Sequence, residues 1–343
     1  CGVICRGLLE GGVLLGHGLL PLLVQSDLKR LDLLVLFSSG ELNGGCFDVK
    51  WFFEVYETLG EKTFEKLYKS AKYSSAGNKH TRARKYADAA LGKMDIAATE
   101  EQISDKRNKD LLMALAIIPS KDKSDILQRY EFIQRFLKES KQFGAQRRAS
   151  EGEACAFALK NLAVTAGYSD ETRLTLSMET ALVQENSSYF ENNRIGDYDV
   201  RICVDSFGKA TLTVQKDGKT LKSVPAAIKK NDKFLQIKEF CDKLRQQYSR
   251  TVRMIETAME ERDLFTFGEL KKLGENPVTK AITENLIFIT VDDGFVSGLP
   301  TPEGLSDQNG ELHSISKEAR LRVSHPFDLY KNGIWADYQK LIM

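Results

Sequence analysis

The stretch that decides the fold is "YDVRICVDSFGKATLTVQKDGKTLKSVP", residues 198–225. Apolar and polar residues alternate in two runs, one from Val200 to Val204 and one from Ala210 to Val214, and this period of two is typical of half-buried strands. Glycines in "DSFGK" and "KDGK" fall where hairpin turns need a positive φ. The stretch therefore predicts a β-meander of about three strands.

The same stretch contains the tripeptide GKT at residues 218–220, with which a phosphate-binding P-loop ends. A P-loop needs another glycine five residues before Gly218, and a helix afterwards whose free N–H groups can hold phosphate. Thr213 occupies the first position, and the extended segment "LKSVP" follows the tripeptide. We therefore interpret GKT as part of a hairpin and not as a nucleotide site.

The residues that precede the meander have the spacing of helices. From residue 51 to 167 apolar residues recur every three or four positions, and we expect N-caps at Ser124 and Ser150, with Glu153 completing a capping box. This pattern predicts a HEAT-like helical array over residues 1–180, in which the fold of residues 1–50 is undefined.

After the meander, "LQIKEFCDKLRQQYSRTVRMIETAMEERDLF" predicts the longest helix of the chain, and a tail with a short helix and the apolar strand "NLIFITVDDG" follows it. The predicted fold class is α+β, predominantly helical. Its second domain, residues 181–343, is a β-meander packed on the long amphipathic helix.

The length of 343 residues predicts two or more structural units, and the formal charge of +1 excludes a global polyelectrolyte. A first residue that is Cys and an abrupt end in "WADYQKLIM" favour a fragment truncated at the C-terminus. The apolar run "VLLGHGLLPLLV" has 12 residues, below the roughly 20 that a membrane helix needs, and no signal peptide is recognisable. We expect a cytoplasmic protein without a membrane partner.

No motif in the chain predicts catalysis, a cofactor or a metal. The six cysteines form no CxxC pair, which favours reduced thiols, and no two of the four histidines are four residues apart. Neither a GxSxG elbow nor a GxGxxG turn is present. Asp292 and Asp293, in "VDDG", are interpreted as a turn, and His325 as a turn residue before Pro326.

Charge is distributed unevenly along the chain. Residues 61–150 carry 20 Lys and Arg against 12 Asp and Glu, and residues 200–260 carry 13 against 7. Such blocks are either solvated helix faces or surfaces that attract nucleic acid. The candidate contacts to an anion or nucleic acid are five arginines: Arg147, Arg148, Arg245, Arg250 and Arg253. The first two lie at the junction of two predicted helices, and for them an interhelical salt bridge to Glu151 or Glu153 is the alternative that we prefer.

Five segments occur together in order: "KSAKYSSAGNKHTRARKYADAALGK", "KESKQFGAQRRASEGEACAFALKNLAVTAGYSDETRLTLSMET", "DGKTLKSVPAAIKKND", "RTVRMIETAMEERDLF" and "RLRVSHPFDLYKNGIWADYQKL". From about Trp51 onward the chain resembles the bacterial domain-of-unknown-function family 4132, found in proteins labelled molybdate metabolism regulator-like and often near a WGR domain. The resemblance implies no catalytic residues, and neither Trp51 nor Trp335 is followed by the Gly-Arg of a WGR domain.

Three functional hypotheses follow. The first is a non-catalytic scaffold or interaction module of a larger bacterial protein, whose partner is another domain of the same polypeptide or another protein. The second is a nucleic-acid-associated regulatory protein that binds through its basic helices. The third is an enzyme whose site is completed by chain outside this sequence.

Overall fold

The computed structural model describes residues 39–74, 79–292 and 294–342. Two segments that were interpreted from the sequence lie outside the described residues: the apolar run of residues 13–24, and Asp293 of the "VDDG" turn. The chain divides into two compact units between Thr175 and Leu176. The fold class predicted from the sequence, a predominantly helical α+β protein, is confirmed.

The described part of the first unit is helical. Its helices are α1 (Ser39–Gly44), α2 (Val49–Leu59), α3 (Glu61–Ser74), α4 (Lys79–Ala90), α5 (Ile96–Lys106), α6 (Lys109–Leu115), α7 (Lys123–Glu139) and α8 (Ala145–Thr165). The next helix, α9 (Glu171–Glu185), contains the division between the two units. The lengths of these helices vary from 6 to 21 residues, and the HEAT-like repeat stays a prediction.

Helix α6 lies at the centre of the first unit. Every residue from Leu111 to Ile118 is buried, and the helix contacts α4, α5 and α8. An all-round apolar helix can be stable only inside a core. The fully buried Arg129 donates to the carbonyl oxygen of Leu115, the last residue of the helix, at 3.2 Å, and to that of Ile118, just beyond it, at 2.6 Å. Asp125 neutralises this arginine at 2.6 Å.

Two predicted N-caps are wrong. Helix α7 is capped by Asp122, which accepts from the backbone N–H of Asp125 at 2.9 Å, and Ser124 lies inside the helix. Helix α8 begins at Ala145, so Ser150 is a helical residue and not a cap. The physical reason is the residue after Ser150: Glu151 is an i,i+4 partner of Arg147, and this pair forms only if the helix already includes both.

The second unit contains two antiparallel sheets. The four-stranded sheet has the order β1 (Asn193–Ile195), β2 (Tyr198–Val204), β3 (Ala210–Lys216), β4 (Lys219–Thr220). The six-stranded sheet has the order β5 (Phe265–Thr266), β10 (Arg320–Val323), β6 (Phe288–Thr290), β7 (Ser297–Pro300), β8 (Gly304–Ser306), β9 (Leu312–Ser314). The remaining helices are α10 (Asp232–Glu261), α11 (Phe267–Leu273), α12 (Pro277–Thr283), α13 (Pro326–Lys331) and α14 (Trp335–Ile342).

The meander packs on the long helix, as the alternation predicts. Val200 pairs with Val214 across β2 and β3, and both are buried in one cluster with Phe240 and Leu244 of α10. The meander has one more strand than expected, because the three-residue β1 precedes the alternating stretch.

The GKT tripeptide forms a hairpin. Asp217 and Gly218 have φ values of 49° and 76°, and they join Lys216 to Lys219 in a two-residue turn. Lys219 and Thr220 are the exposed β4 strand, so no helix N-terminus follows them. The interpretation of this segment as a turn is correct.

Most of the six-stranded sheet was not predicted. Its strands are two to four residues long, and so short a strand offers at most two inward-facing positions, too few for an alternation to be recognised. The sheet and α11 nevertheless enclose a core that includes Phe267, Phe288, Leu305 and Leu321.

No helix among the described residues combines the length and the apolar character needed to cross a bilayer.

Two turn glycines should differ in their tolerance of a side chain. Gly208 and Gly218 both have positive φ, but a Cβ at Gly208 would lie 2.8 Å from the carbonyl oxygen of Val278, whereas space around Gly218 is open. We expect Gly218→Ala to lower the free energy of unfolding by about 1 kcal/mol and Gly208→Ala by roughly 2 to 3 kcal/mol in urea titrations. Equal losses in the two variants would contradict this packing.

Candidate functional site

The buried carboxylate of Glu151 lies where the sequence suggested an anion site. Arg107 donates to it from Nη2 at 2.7 Å, and Arg147 donates from Nε at 2.9 Å. The guanidinium of Arg107 also binds Glu139 at 2.8 Å and stacks on the ring of Phe136 at 3.9 Å. We call Glu151, Arg107, Arg147 and Glu139 the Glu151 cluster.

The cluster keeps its charges. Burial pushes the pKa of Glu151 upward, but hydrogen bonds and charges from Arg107 and Arg147 outweigh burial, and the pKa is lowered overall. The hydrogen bond to Glu151 in turn raises the pKa of Arg107. The carboxylate is therefore ionised at neutral pH, and it neutralises the arginines that would otherwise attract an external anion.

The two arginines predicted at a helix junction lie inside the first turns of α8. Arg147 is bound to Glu151 and stacks on Phe143 at 3.7 Å, so the salt-bridge alternative describes it, although the bridge lies within one helix. Arg148 is exposed, and no ion pair to it exists among the described residues.

The three arginines of α10 have separate surroundings. Arg250 donates two hydrogen bonds, at 2.6 and 2.9 Å, to one oxygen of Glu179, whose side chain is 2% exposed. Arg245 donates to the carbonyl oxygen of Ala210 at 3.0 Å and is exposed, as is Arg253. Five helical residues separate Arg245 from Arg250, a rotation of about 140°. Arg245 and Arg250 therefore do not converge on one ligand position.

One group with metal-ligand chemistry escaped sequence analysis. Asp307, Glu311 and His313, in the hairpin from β8 to β9, place three ligand atoms within 4.8 Å of one another. Asp307 already accepts hydrogen bonds from the backbone N–H of Glu311 at 2.9 Å and shares one with His313 at 3.2 Å. The signal was the spacing D-x3-E-x-H across a turn, which becomes informative only when the two strands are paired.

The other acidic and histidine candidates have structural partners. Asp292 binds Arg320 on the neighbouring strand, and this hydrogen bond lowers the pKa of Asp292. His325 caps α13 by accepting from the backbone N–H of Phe327 at 3.1 Å, which agrees with its interpretation as a turn residue.

Three of the four thiols among the described residues are poorly suited to nucleophilic chemistry. Cys46, Cys155 and Cys241 are buried, and Cys203 is half-buried. Burial raises the pKa of Cys46 and of Cys155 to about 12 in each case. Because the thiolate is the reactive form, burial suppresses the reactivity of these two side chains.

Large aromatic side chains are exposed near the end of the second unit. Phe327 is 58% exposed and Tyr330 is 73% exposed, and they share one face of α13 because they are three residues apart. Trp335 at the start of α14 is 37% exposed, while Leu329 on the opposite side of α13 is buried. We call Phe327, Tyr330 and Trp335 the C-terminal aromatic surface.

The fold and these contacts define a predominantly helical α+β protein in which many of the charged side chains support the structure. Residues 37–178 match the family model described as Family of unknown function (DUF5724), and residues 218–343 match the model described as Domain of unknown function (DUF4132). The second match supports the resemblance to family 4132 over residues 218–343, whereas the two segments quoted from the N-terminal half lie almost entirely within the residues that the other model matches. No curated protein and no solved structure matches the chain.

The Glu151 cluster makes a prediction about stability. Glu151→Gln leaves Arg107, whose side chain is 10% exposed, without its main counter-charge, so we expect a loss of about 3 kcal/mol in urea unfolding at pH 7. Glu153→Gln, at an exposed position of the same helix, should change stability by less than about 0.5 kcal/mol.

The pH dependence of this loss follows from the lowered pKa of Glu151. The carboxylate stabilises the folded state above its unfolded pKa of about 4.5, and that contribution disappears as the pH falls through the lower folded value. The stability difference between wild type and Glu151→Gln should therefore shrink in acid. A difference that grows below pH 4.5 would contradict the assignment.

The thiols provide a further prediction. At a pKa of about 12, the thiolate fraction is on the order of 1,000-fold below that of a thiol with pKa 9. In the native protein at pH 8, we expect iodoacetamide to alkylate Cys203 while Cys46 and Cys155 stay unmodified, as read by peptide mass spectrometry. All three should react in urea, and fast native alkylation of Cys155 would show that it is accessible and activated.

Proposed function

We propose that this chain is a non-catalytic interaction module that recognises another protein, either a separate partner or a further domain of the same polypeptide. The observation that carries the proposal is the C-terminal aromatic surface. Aromatic side chains are enriched at protein interfaces because they bury a large area at a small entropic cost. Phe327 and Tyr330, both more than half exposed, are side chains of this kind.

The chemistry of the interior also favours binding over catalysis. A catalytic centre needs titratable groups that converge on a position where substrate can bind. Two buried carboxylates among the described residues, those of Glu151 and Glu179, are instead bonded to arginine. The Asp307, Glu311 and His313 group is held by the hydrogen bonds of its own hairpin. The enzyme hypothesis has no comparable support.

The contacts of the five candidate arginines do not favour the hypothesis that they bind nucleic acid. Of the five arginines assigned to it, Arg147 and Arg250 are bound to buried carboxylates, and Arg245 is bound to Asp242 at 2.9 Å. The resemblance to molybdate metabolism regulator-like proteins implies a regulatory role, and the proposed function does not depend on it.

The test is a comparison of captured proteins. The tagged chain and a Phe327→Ser, Tyr330→Ser variant are used to capture partners from native lysate, and each candidate is purified and titrated against both. We expect at least one direct partner whose affinity falls tenfold or more in the variant, because truncating an aromatic hot-spot residue costs about 2 kcal/mol or more.

Phe207→Ser is the matched control. Phe207 is 65% exposed in the hairpin between β2 and β3, so the control removes a comparable aromatic surface elsewhere in the unit. The partner should bind this variant normally. If every captured protein binds wild type and the double variant equally, the aromatic surface is not the interface and the proposal is wrong.

A further inference from the structure

The highest local positive charge of the first unit lies on helices that the arginine candidates do not include. Residues 62–85 contain eight Lys and Arg and one Asp or Glu, in a chain whose total formal charge is +1. They cover α3 from its second residue and the first half of α4. An excess of this size is an electrostatic footprint of the kind that polyanions recognise.

Three lysines and a tyrosine form a line along α3. Lys62, Lys66, Lys69 and Tyr73 are spaced at i, i+4, i+7 and i+11, which places them on one helix face over about 16 Å. All four are exposed, and Tyr73 is 81% exposed. The buried Phe64 lies on the opposite side of the helix and faces the core. We call these four residues the lysine stripe.

Few carboxylates compensate the stripe. Glu65 lies 3.3 Å from Lys69, but both side chains are more than half exposed, and such i,i+4 surface pairs are weak and easily exchanged. Within the described part of the chain, no ion pair forms with Lys62 or Lys66. Arg84 on α4 stacks on the ring of Tyr68 at 4.5 Å, which holds another cation close to α3.

We propose that the lysine stripe binds single-stranded nucleic acid, with phosphates at Lys62, Lys66 and Lys69 and a base stacked on the ring of Tyr73. The three lysine positions follow one another at roughly 6 and 4.5 Å along the helix axis, which suits a chain of repeated charges better than a single phosphate. The exposed ring at the end of the line adds a stacking platform, a feature of single-strand binding sites.

Other polyanions fit this surface less well. A membrane-binding helix needs bulky apolar residues beside its lysines, and Tyr73 is the single aromatic residue of the stripe. An acidic peptide would use the lysines but has no base to stack on the ring. The surface is in the other unit from the C-terminal aromatic surface, so this inference is independent of the proposed function.

The test is fluorescence anisotropy of the full 343-residue chain with a labelled oligothymidylate of about 20 nucleotides. Three phosphate contacts at about 0.7 each predict that the logarithm of the binding constant falls against the logarithm of salt concentration with a slope near −2. Lys62→Gln, Lys66→Gln, Lys69→Gln should remove most of this slope and weaken binding at least about tenfold in roughly 50 mM salt.

Tyr73→Ser separates stacking from charge. We expect it to weaken binding about tenfold while leaving the salt slope unchanged, because a base–aromatic contact involves no counterion release. The matched charge control is Lys229→Gln, Lys230→Gln, Lys238→Gln, three exposed lysines of the second unit, and it should bind like wild type. Circular dichroism and thermal melts check that each variant is folded.

Several outcomes would overturn the inference. They are absence of binding at low salt, an equal loss in the stripe variant and the charge control, or equal affinity for the oligonucleotide and a polyglutamate peptide of similar charge. Binding to phosphatidylserine vesicles with no affinity for the oligonucleotide would assign the stripe to membranes. Loss of the protein partner in the Phe327→Ser, Tyr330→Ser variant, with nucleic-acid binding intact, would distinguish the two proposals.

Discussion

A carboxylate removed from water must be paired with a cation, and two such carboxylates organise the helices of this protein. The side chains of Glu151 and Glu179 are each 2% exposed. An isolated charge at such a position would be strongly destabilising, so the arginines that approach these carboxylates are fixed by the fold. In the first unit, Arg107 joins the end of α5 to α8 and, through Glu139, to α7. In the second unit, Arg250 joins α10 to α9.

This constraint separates the basic residues of the chain into two groups. Arginines such as Arg107 and Arg250 donate more than one hydrogen bond from a planar guanidinium to a buried carboxylate. Lysines, which hold a single point charge on a flexible stem, are left on the surface, as in the lysine stripe of α3. The residues available to a partner include exposed arginines such as Arg148 and Arg253, but both proposals rest on the exposed lysines and the exposed aromatic side chains.

Sequence patterns were sufficient to predict the long elements of the second unit. The alternation around Val200 and Val214 and the apolar stripe of α10 each extend over enough residues to define a period, and the meander and its supporting helix were predicted correctly. Most strands of the six-stranded sheet were missed because they are too short to show a pattern in the sequence. They are stabilised by pairing with strands far along the chain, as β10 is with β5 and β6.

The candidate site was harder to predict for a related reason. Arg147 and Arg250 were identified as basic residues, but whether an arginine faces solvent or a buried carboxylate depends on contacts far along the chain. Glu179 precedes Arg250 by 71 residues, and Glu151 follows Arg107 by 44. The i,i+4 relation of Arg147 to Glu151 was the one local signal, and the salt bridge that we expected has the right partner but lies within one helix instead of between two.

A double-mutant cycle on Glu179 and Arg250 tests the central claim, that the arginines of the basic blocks support structure while the lysine stripe binds. Glu179→Gln, Arg250→Gln and the double variant would be unfolded in urea, and their affinity for the oligothymidylate measured in the folded state. We predict a coupling energy of about 2 kcal/mol or more with unchanged affinity. A coupling near zero together with weakened nucleic-acid binding by Arg250→Gln would contradict the account.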